Sequence, residues 1–217
     1  MSLVIEVISD VVCPWCFIGK RRLEAALALF AEAQPDAEPP TVLWLPFQLN
    51  PDMPEAGMAR DEYMRAKFGE RSAEVIERMA GEGEREGIYF EFDRIARQPN
   101  TVRAHALIDR AAACELQDAV VEALFTAYFI DGADLTDNAV LERIAIEQGM
   151  PHDEIHAALD DGLDDGATLI AVREADAHAR EMGVSGVPFF VLNRQLAVSG
   201  AHPAETLLAA MLKASAE

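Results

Sequence analysis

Cys13 and Cys16, with Pro14 and Trp15 between them, stand where the apolar run of residues 3–8 gives way to an amphipathic helical pattern starting near Phe17. A strand that runs into Cys-x-x-Cys and continues as a helix puts both thiols at a helix N-terminus. There the first-turn N–H groups lack helical partners and favour negative charge. The thiolate is the reactive form of cysteine, and a two-residue spacer lets the second sulfur attack a bond made by the first. The arrangement points to redox chemistry. The helix field contributes roughly 0.3 to 1 kcal/mol, and about 2 kcal/mol when partly buried, against about 1.4 kcal/mol per pKa unit. Strong stabilisation of a Cys13 thiolate is therefore expected to need direct hydrogen bonds from those N–H groups. Half of a zinc site is the competing reading, but no second Cys or His pair with ligand spacing accompanies the motif, so no metal is expected.

Residues 3–8 and 41–45 are β-branched and apolar runs of strand length. Between them Leu23, Ala26, Leu27 and Phe30 mark the core face of a helix, and Pro35, Pro39 and Pro40 punctuate its exit. Residues 52–183 read as almost wholly helical, apart from a short alternating segment at Ile88, Phe90 and Phe92. Apolar stripes run through Val121, Leu124, Phe125 and Tyr128, through Val140, Leu141, Ile144 and Ala145, and through Leu169, Val172, Ala175, Ala179 and Met182. Strand character returns at residues 187–192, turns at Asn193 and Arg194, and resumes over 195–199 ahead of a helix over about 203–212. The order βαβ, helical block, ββα requires a sheet of about four strands with helices on both faces. The expected class is α/β, with residues 1–51 and 184–217 forming one discontinuous unit and residues 52–183 an all-helical insertion.

A chain of 217 residues buries roughly 70% of its unfolded surface, so a real core is available. The net charge of −20 argues against a nucleic-acid partner, because a phosphate backbone selects a basic face. The acidic groups Glu82, Glu84, Glu86 and Asp160, Asp161, Asp164, Asp165 read as solvated surface. Strand character within three residues of Met1, with no basic leader or apolar signal core, leads us to expect no export and no membrane anchoring. With three cysteines in all, the expected setting is cytoplasmic and reducing, with the pair resting as a dithiol.

Five segments in order carry a resemblance to a known family: Cys13 to Cys16 followed by Phe17-Ile18-Gly19-Lys20-Arg21-Arg22; Pro46-Phe47-Gln48-Leu49-Asn50-Pro51; Asn100-Thr101 with Ala104-His105; residues 183–190; and Ser199-Gly200-Ala201. The chain resembles the DsbA-like branch of the thioredoxin-fold superfamily, most closely the cytosolic FrnE-like oxidoreductases. The resemblance implies a thioredoxin fold with a helical insertion, Cys13 as attacking thiol, Cys16 as resolving thiol, and a cis Val187-Pro188 bond facing them. Trp15 stands where the periplasmic members carry a histidine, a departure that bears on redox poise. The kappa-class glutathione transferases and 2-hydroxychromene-2-carboxylate isomerases share the fold and the insertion but carry Ser at the Cys13 position. They imply a second reading, glutathione-dependent chemistry on a small molecule.

The expected partner is a protein or small molecule bearing a thiol or disulfide, with no bound cofactor but glutathione as a candidate co-substrate; a homodimer is left open. His105 is placed one turn after Thr101 and one turn before Asp109, so it reads either as a proton carrier or substrate contact oriented by Asp109, or as a packed histidine. Asn100 reads as a site residue or as the cap of the same helix. Trp15, Phe47 and Phe189 read as walls of an apolar groove near the thiols, with core packing the alternative for Phe47 and Phe189. Cys114 reads as an inert buried residue on a helix.

Overall fold

The computed structural model describes residues 3–159 and 166–216. Strand β1 (Val4–Ser9) leads into helix α1 (Pro14–Ala33) and strand β2 (Thr41–Pro46). A helical block follows: α2 (Arg60–Phe68), α3 (Ser72–Arg85), α4 (Val102–Ala112), α5 (Gln117–Phe129), α6 (Asn138–Glu147), α7 (His152–Leu159) and α8 (Ala167–Glu181). Two short strands, β3 (Met58–Ala59) and β4 (Arg97–Gln98), sit within that block. Strands β5 (Phe189–Leu192) and β6 (Leu196–Ser199) and helix α9 (Ala204–Ala216) complete the chain. The main sheet has the order β2-β1-β5-β6, with β1 parallel to β2 and antiparallel to β5. The fold is thus the thioredoxin type with a helical insertion.

Alternation along β1 sorts its side chains. Ile5 and Val7 enter the main core with Phe17 and Ile18 of α1 and Leu207 and Met211 of α9, while Ile8 faces the other way onto Phe47, Ala179 and Val184. Helices therefore cover both faces near the thiols. The three-residue β5–β6 connection, 193–195, has Asn193 and Arg194 at φ 48 and 57, a left-handed pair closed by the Gln195 N–H donating to the Leu192 carbonyl at 3.0 Å. Asn193 also binds β1, accepting from the Val4 N–H at 2.9 Å, and α9, donating to the Ala214 carbonyl at 2.9 Å. On the outer edge of β2 the Gln117 carboxamide acts as a substitute strand. It accepts from the Trp44 N–H at 2.8 Å and donates to the Trp44 carbonyl at 3.0 Å, protecting an edge that would otherwise invite pairing.

The helical block is joined to the sheet layer by one continuous core rather than by a linker. Phe17, directly after Cys16, stacks on Phe125 of α5 at 4.9 Å and 8°, and Phe90, Phe92 and Phe129 close around the pair. The segment at Ile88–Phe92 is no strand. Phe90 and Phe92 stack on each other at 4.9 Å, the Glu91 N–H bonds the Phe129 carbonyl, and Phe92–Arg94 form a 3-10 turn. The expected absence of other strands in the block is corrected by the β3–β4 ribbon.

Two surface expectations also change. Glu82 of α3 and Glu86, which caps its C-terminus, are not simply solvated; they hold Arg22 of α1, at 3.1 and 2.6 Å, while Arg22 donates to the Ala201 carbonyl at 2.5 Å. Glu84 is exposed, and Asp160, Asp161, Asp164 and Asp165 lie outside the described residues. Cys114 is half-buried in the turn after α4 rather than on the helix. Among the described residues no helix is long and apolar enough to cross a membrane.

Candidate redox site

The thiols lie at the junction of β1 and α1. Cys13 is the N-cap of α1, with extended backbone (φ −97, ψ 111), and Pro14 occupies the first turn, where its missing N–H costs nothing. The Cys13 N–H donates to the Asp10 carbonyl at 3.0 Å and the Cys16 N–H to the Cys13 carbonyl at 2.9 Å, which folds residues 10–16 into a tight connection. Both cysteines are free thiols, with Cys13 5% and Cys16 1% exposed. The Cys13 sulfur takes no hydrogen bond from the helix start. Instead its thiol donates to the Val187 carbonyl at 3.6 Å. The expected amide contacts are therefore replaced, in this thiol state, by a contact with the loop before β5.

The Val187-Pro188 peptide bond is cis. Pro188 is buried, its carbonyl accepts from the Gly200 N–H at 2.8 Å, and its ring lies against α1 at Gly19. A Cβ on Gly19 would come within 2.8 Å of Pro188 Cγ and 3.4 Å of Phe190 Cζ. A helix-interior glycine is unfavourable by itself; here its missing side chain makes room for the loop that faces Cys13. Gly19→Ala is expected to destabilise the protein by about 1 to 3 kcal/mol through overpacking and to change the alkylation rate of Cys13. Urea denaturation and iodoacetamide labelling read the two effects. An unchanged protein by both measures would remove this account of Gly19.

Burial pushes the Cys16 thiol well above its ordinary value. The adjacent Cys13 sulfur pushes it the same way, while the Ser9 hydroxyl and Asp10 backbone oppose it. A thiol that keeps its proton longer in the folded chain than in the unfolded one contributes stability fully present below the unfolded value, about pH 8.5, and lost as pH rises through the folded value. Reduced wild type is therefore expected to lose stability more steeply above about pH 8.5 than Cys16→Ala, as read by urea midpoints across the alkaline range. Parallel curves for the two proteins would contradict it.

The other expected site residues are distributed around this junction. Trp15 is half-buried beneath the Arg78 guanidinium, 5.7 Å from its ring centroid. Phe47 is packed in the core, with the Arg180 guanidinium 4.2 Å over its ring, whereas Phe189 and Val187 remain half-buried. His105 is not oriented by Asp109, which is exposed; its Nε2 lies 3.3 Å from Asp10 Oδ1, and both residues are buried. Asn100 accepts from the Val102 N–H at 3.0 Å at the start of α4 and from Gln48 at 3.1 Å, and donates to the Met53 carbonyl at 2.6 Å.

Asp10 is the residue that sequence reasoning missed. Its backbone carbonyl takes the Cys13 N–H and its Oδ2 the Leu49 N–H at 2.7 Å, so one buried residue ties the thiol turn, the loop after β2 and helix α4 together. Its signal was a charged residue directly before the apolar pair Val11-Val12, three positions ahead of the motif. Gly19 shows no local reason in the sequence; its reason lies across the fold at Pro188.

The comparisons agree with this architecture. A family model described as DSBA-like thioredoxin domain matches residues 4–212. The uncharacterized protein YwbO of Bacillus subtilis (strain 168) is 27% identical over 194 residues, 88% of each chain. The crystal structure of a "probable DsbA oxidoreductase" from Streptomyces coelicolor superposes with a TM-score of 0.86 at 29% identity, covering 99% of this chain and 91% of that one. The cytosolic disulfide reductase DsbM from Pseudomonas aeruginosa, in a structure with GSH, shares the fold at a TM-score of 0.62 and 19% identity, covering 97% and 99%. With one family model spanning both parts of the sheet, the helical block between them and the paired thiols at the helix start, this chain belongs to the DSBA-like thioredoxin domain family.

Proposed function

We propose that this protein is a thiol-disulfide oxidoreductase that exchanges disulfides with a protein or small molecule through Cys13 and Cys16. The observation that carries the reading is the placement of Cys13: the more exposed of two adjacent thiols, at a helix start, with its sulfur 3.6 Å from the Val187 carbonyl. In the reductive direction the Cys13 thiolate attacks one sulfur of a substrate disulfide. The S–S bond breaks, and the first substrate sulfur leaves as a thiolate and takes a proton. Cys16 then loses its proton and attacks the Cys13 sulfur, releasing the second substrate thiol and leaving a Cys13–Cys16 disulfide. The substrate gains two electrons and the protein loses two. The reverse sequence oxidises a dithiol.

The burial that holds the proton on Cys16 suits it to the resolving step, since it stays inert until the mixed disulfide forms beside it. Val187 and Pro188 supply the wall against which a substrate lies, and Trp15 the neighbouring surface. We assign Asp10 and His105 a positioning role, holding the thiol turn to α4, and Asn100 the same role at the loop after β2. Phe47 supports that loop from beneath. Residues 1–51 and 184–217 act in this reading as the redox unit, with 52–183 its cover, in a reducing cytoplasm. An insulin-reduction assay tests it: equal rates for wild type and Cys13→Ser would end the proposal.

A second reading, glutathione-dependent chemistry on a small molecule, is supported by the shared fold of DsbM, whose structure holds GSH. Its distinguishing result is turnover with glutathione that survives Cys16→Ser, because a transferase has no use for a resolving thiol. Calorimetric titration with glutathione supplies the binding half of that test.

A further inference from the structure

Arg60, the first residue of α2, is 8% exposed, yet no Asp or Glu among the described residues forms an ion pair with it. Its Nη1 directs both hydrogens to neutral oxygens, Gln98 Oε1 at 2.7 Å and the Tyr128 hydroxyl at 3.3 Å. Burial holds that hydroxyl protonated far above its ordinary range, so Tyr128 supplies no counter-charge. The Nε and Nη2 groups donate to no protein atom among the described residues. Since no buried side-chain nitrogen or oxygen there lacks a partner, this edge of the guanidinium reaches open space.

Arg60 lines a cavity of about 440 Å³ between α2, α3 and the turn at Phe92–Arg94, together with Met64, Ser72, Ile76, Phe92 and Ile95. The Nε/Nη2 edge is a two-donor fork matched to a carboxylate. The guanidinium is largely covered and held by neutral oxygens, so an anionic ligand at its open edge has no protein counter-ion to displace. The exposed rim carries Asp61 and Asp93 beside the single cation Arg65, and this balance with the net charge of −20 disfavours a compact dianion.

We propose that this cavity binds a small organic monocarboxylate, its head on Arg60 and its apolar body against Met64, Ile76, Phe92 and Ile95. The site stands apart from the thiols, and it does not depend on the redox reading.

Benzoate is the probe, with benzamide as its uncharged counterpart. Benzoate is expected to shift the Arg60 Nε–H resonance saturably, with benzamide binding at least about tenfold more weakly. Arg60→Gln is expected to weaken benzoate by about ten- to a hundredfold. Because that substitution also touches Gln98 and Tyr128, Ala73→Phe is the second variant: an exposed position on the cavity lining, where a ring obstructs entry and leaves the guanidinium in place. It should lose benzoate with its fold intact. A Cys13→Ser/Cys16→Ser protein should bind as wild type does, whatever becomes of the redox activity. Failure of both benzoate and hexanoate to saturate by about 10 mM, equal binding of benzamide, equal competition by inorganic phosphate, unchanged binding in Ala73→Phe, or loss of binding in the double cysteine variant would each overturn the proposal.

Discussion

Cys13→Ser should abolish disulfide exchange, lowering the rate by more than about a thousandfold, as expected when the nucleophile of a covalent cycle is removed. Serine matches the shape of the cysteine, so the turn held by the Asp10 carbonyl and the capping position of α1 persist. What disappears is the thiolate. Cys16→Ser should behave differently, since the first attack needs only Cys13. It should accumulate a mixed disulfide with substrate, visible as a mass increase that dithiothreitol removes. The pair of results separates the roles. If Cys16→Ser abolished attack and Cys13→Ser accumulated the adduct, the assigned order would be reversed. Residual turnover in Cys13→Ser comparable to wild type would remove thiol chemistry from the site altogether.

Phe125→Ala should destabilise the protein by about 3 to 5 kcal/mol, the usual range for deleting a buried phenyl ring, and lower the melting temperature by about 6 to 20 °C for a chain of this size. Phe125 is fully buried on α5, and its ring lies nearly parallel to that of Phe17, with Phe129 at 6.3 Å. Removing it opens a cavity directly beneath the residue that follows Cys16. The loss should therefore be felt in both layers, giving a single transition and faster labelling of Cys16. If calorimetry resolved two transitions, with the variant lowering only one, the helical block would be an independent domain and the continuous core would not couple it to the thiols.

Much of the site was legible because its chemistry is local. The β-branched run of β1, Pro14 after Cys13, the apolar stripe of α1 and the Asn193-Arg194 turn each act within a few residues, and each lies where steric preference and periodicity place it. The fold class followed from the order of those elements. The departures are long-range. The two-residue strands β3 and β4 are too short to show a period, and their pairing is set by the packing around them. Ile88, Phe90 and Phe92 alternate like a strand, but the aromatic cluster around Phe17 and Phe129 draws Phe90 and Phe92 into stacking instead.

The sequence by itself determined where the two sulfurs stand, on which kind of turn, and that helices must cover a four-stranded sheet. Only the tertiary structure decided what surrounds them: Asp10 rather than Asp109 against His105, across 95 positions, Val187 rather than a helix N–H against Cys13, and Pro188 against the bare face of Gly19. The physical reason is that backbone preferences act over one turn or one pleat. The partner of a buried polar group is instead chosen by whichever distant segment packing brings within hydrogen-bond reach, because leaving that group unpaired is costly.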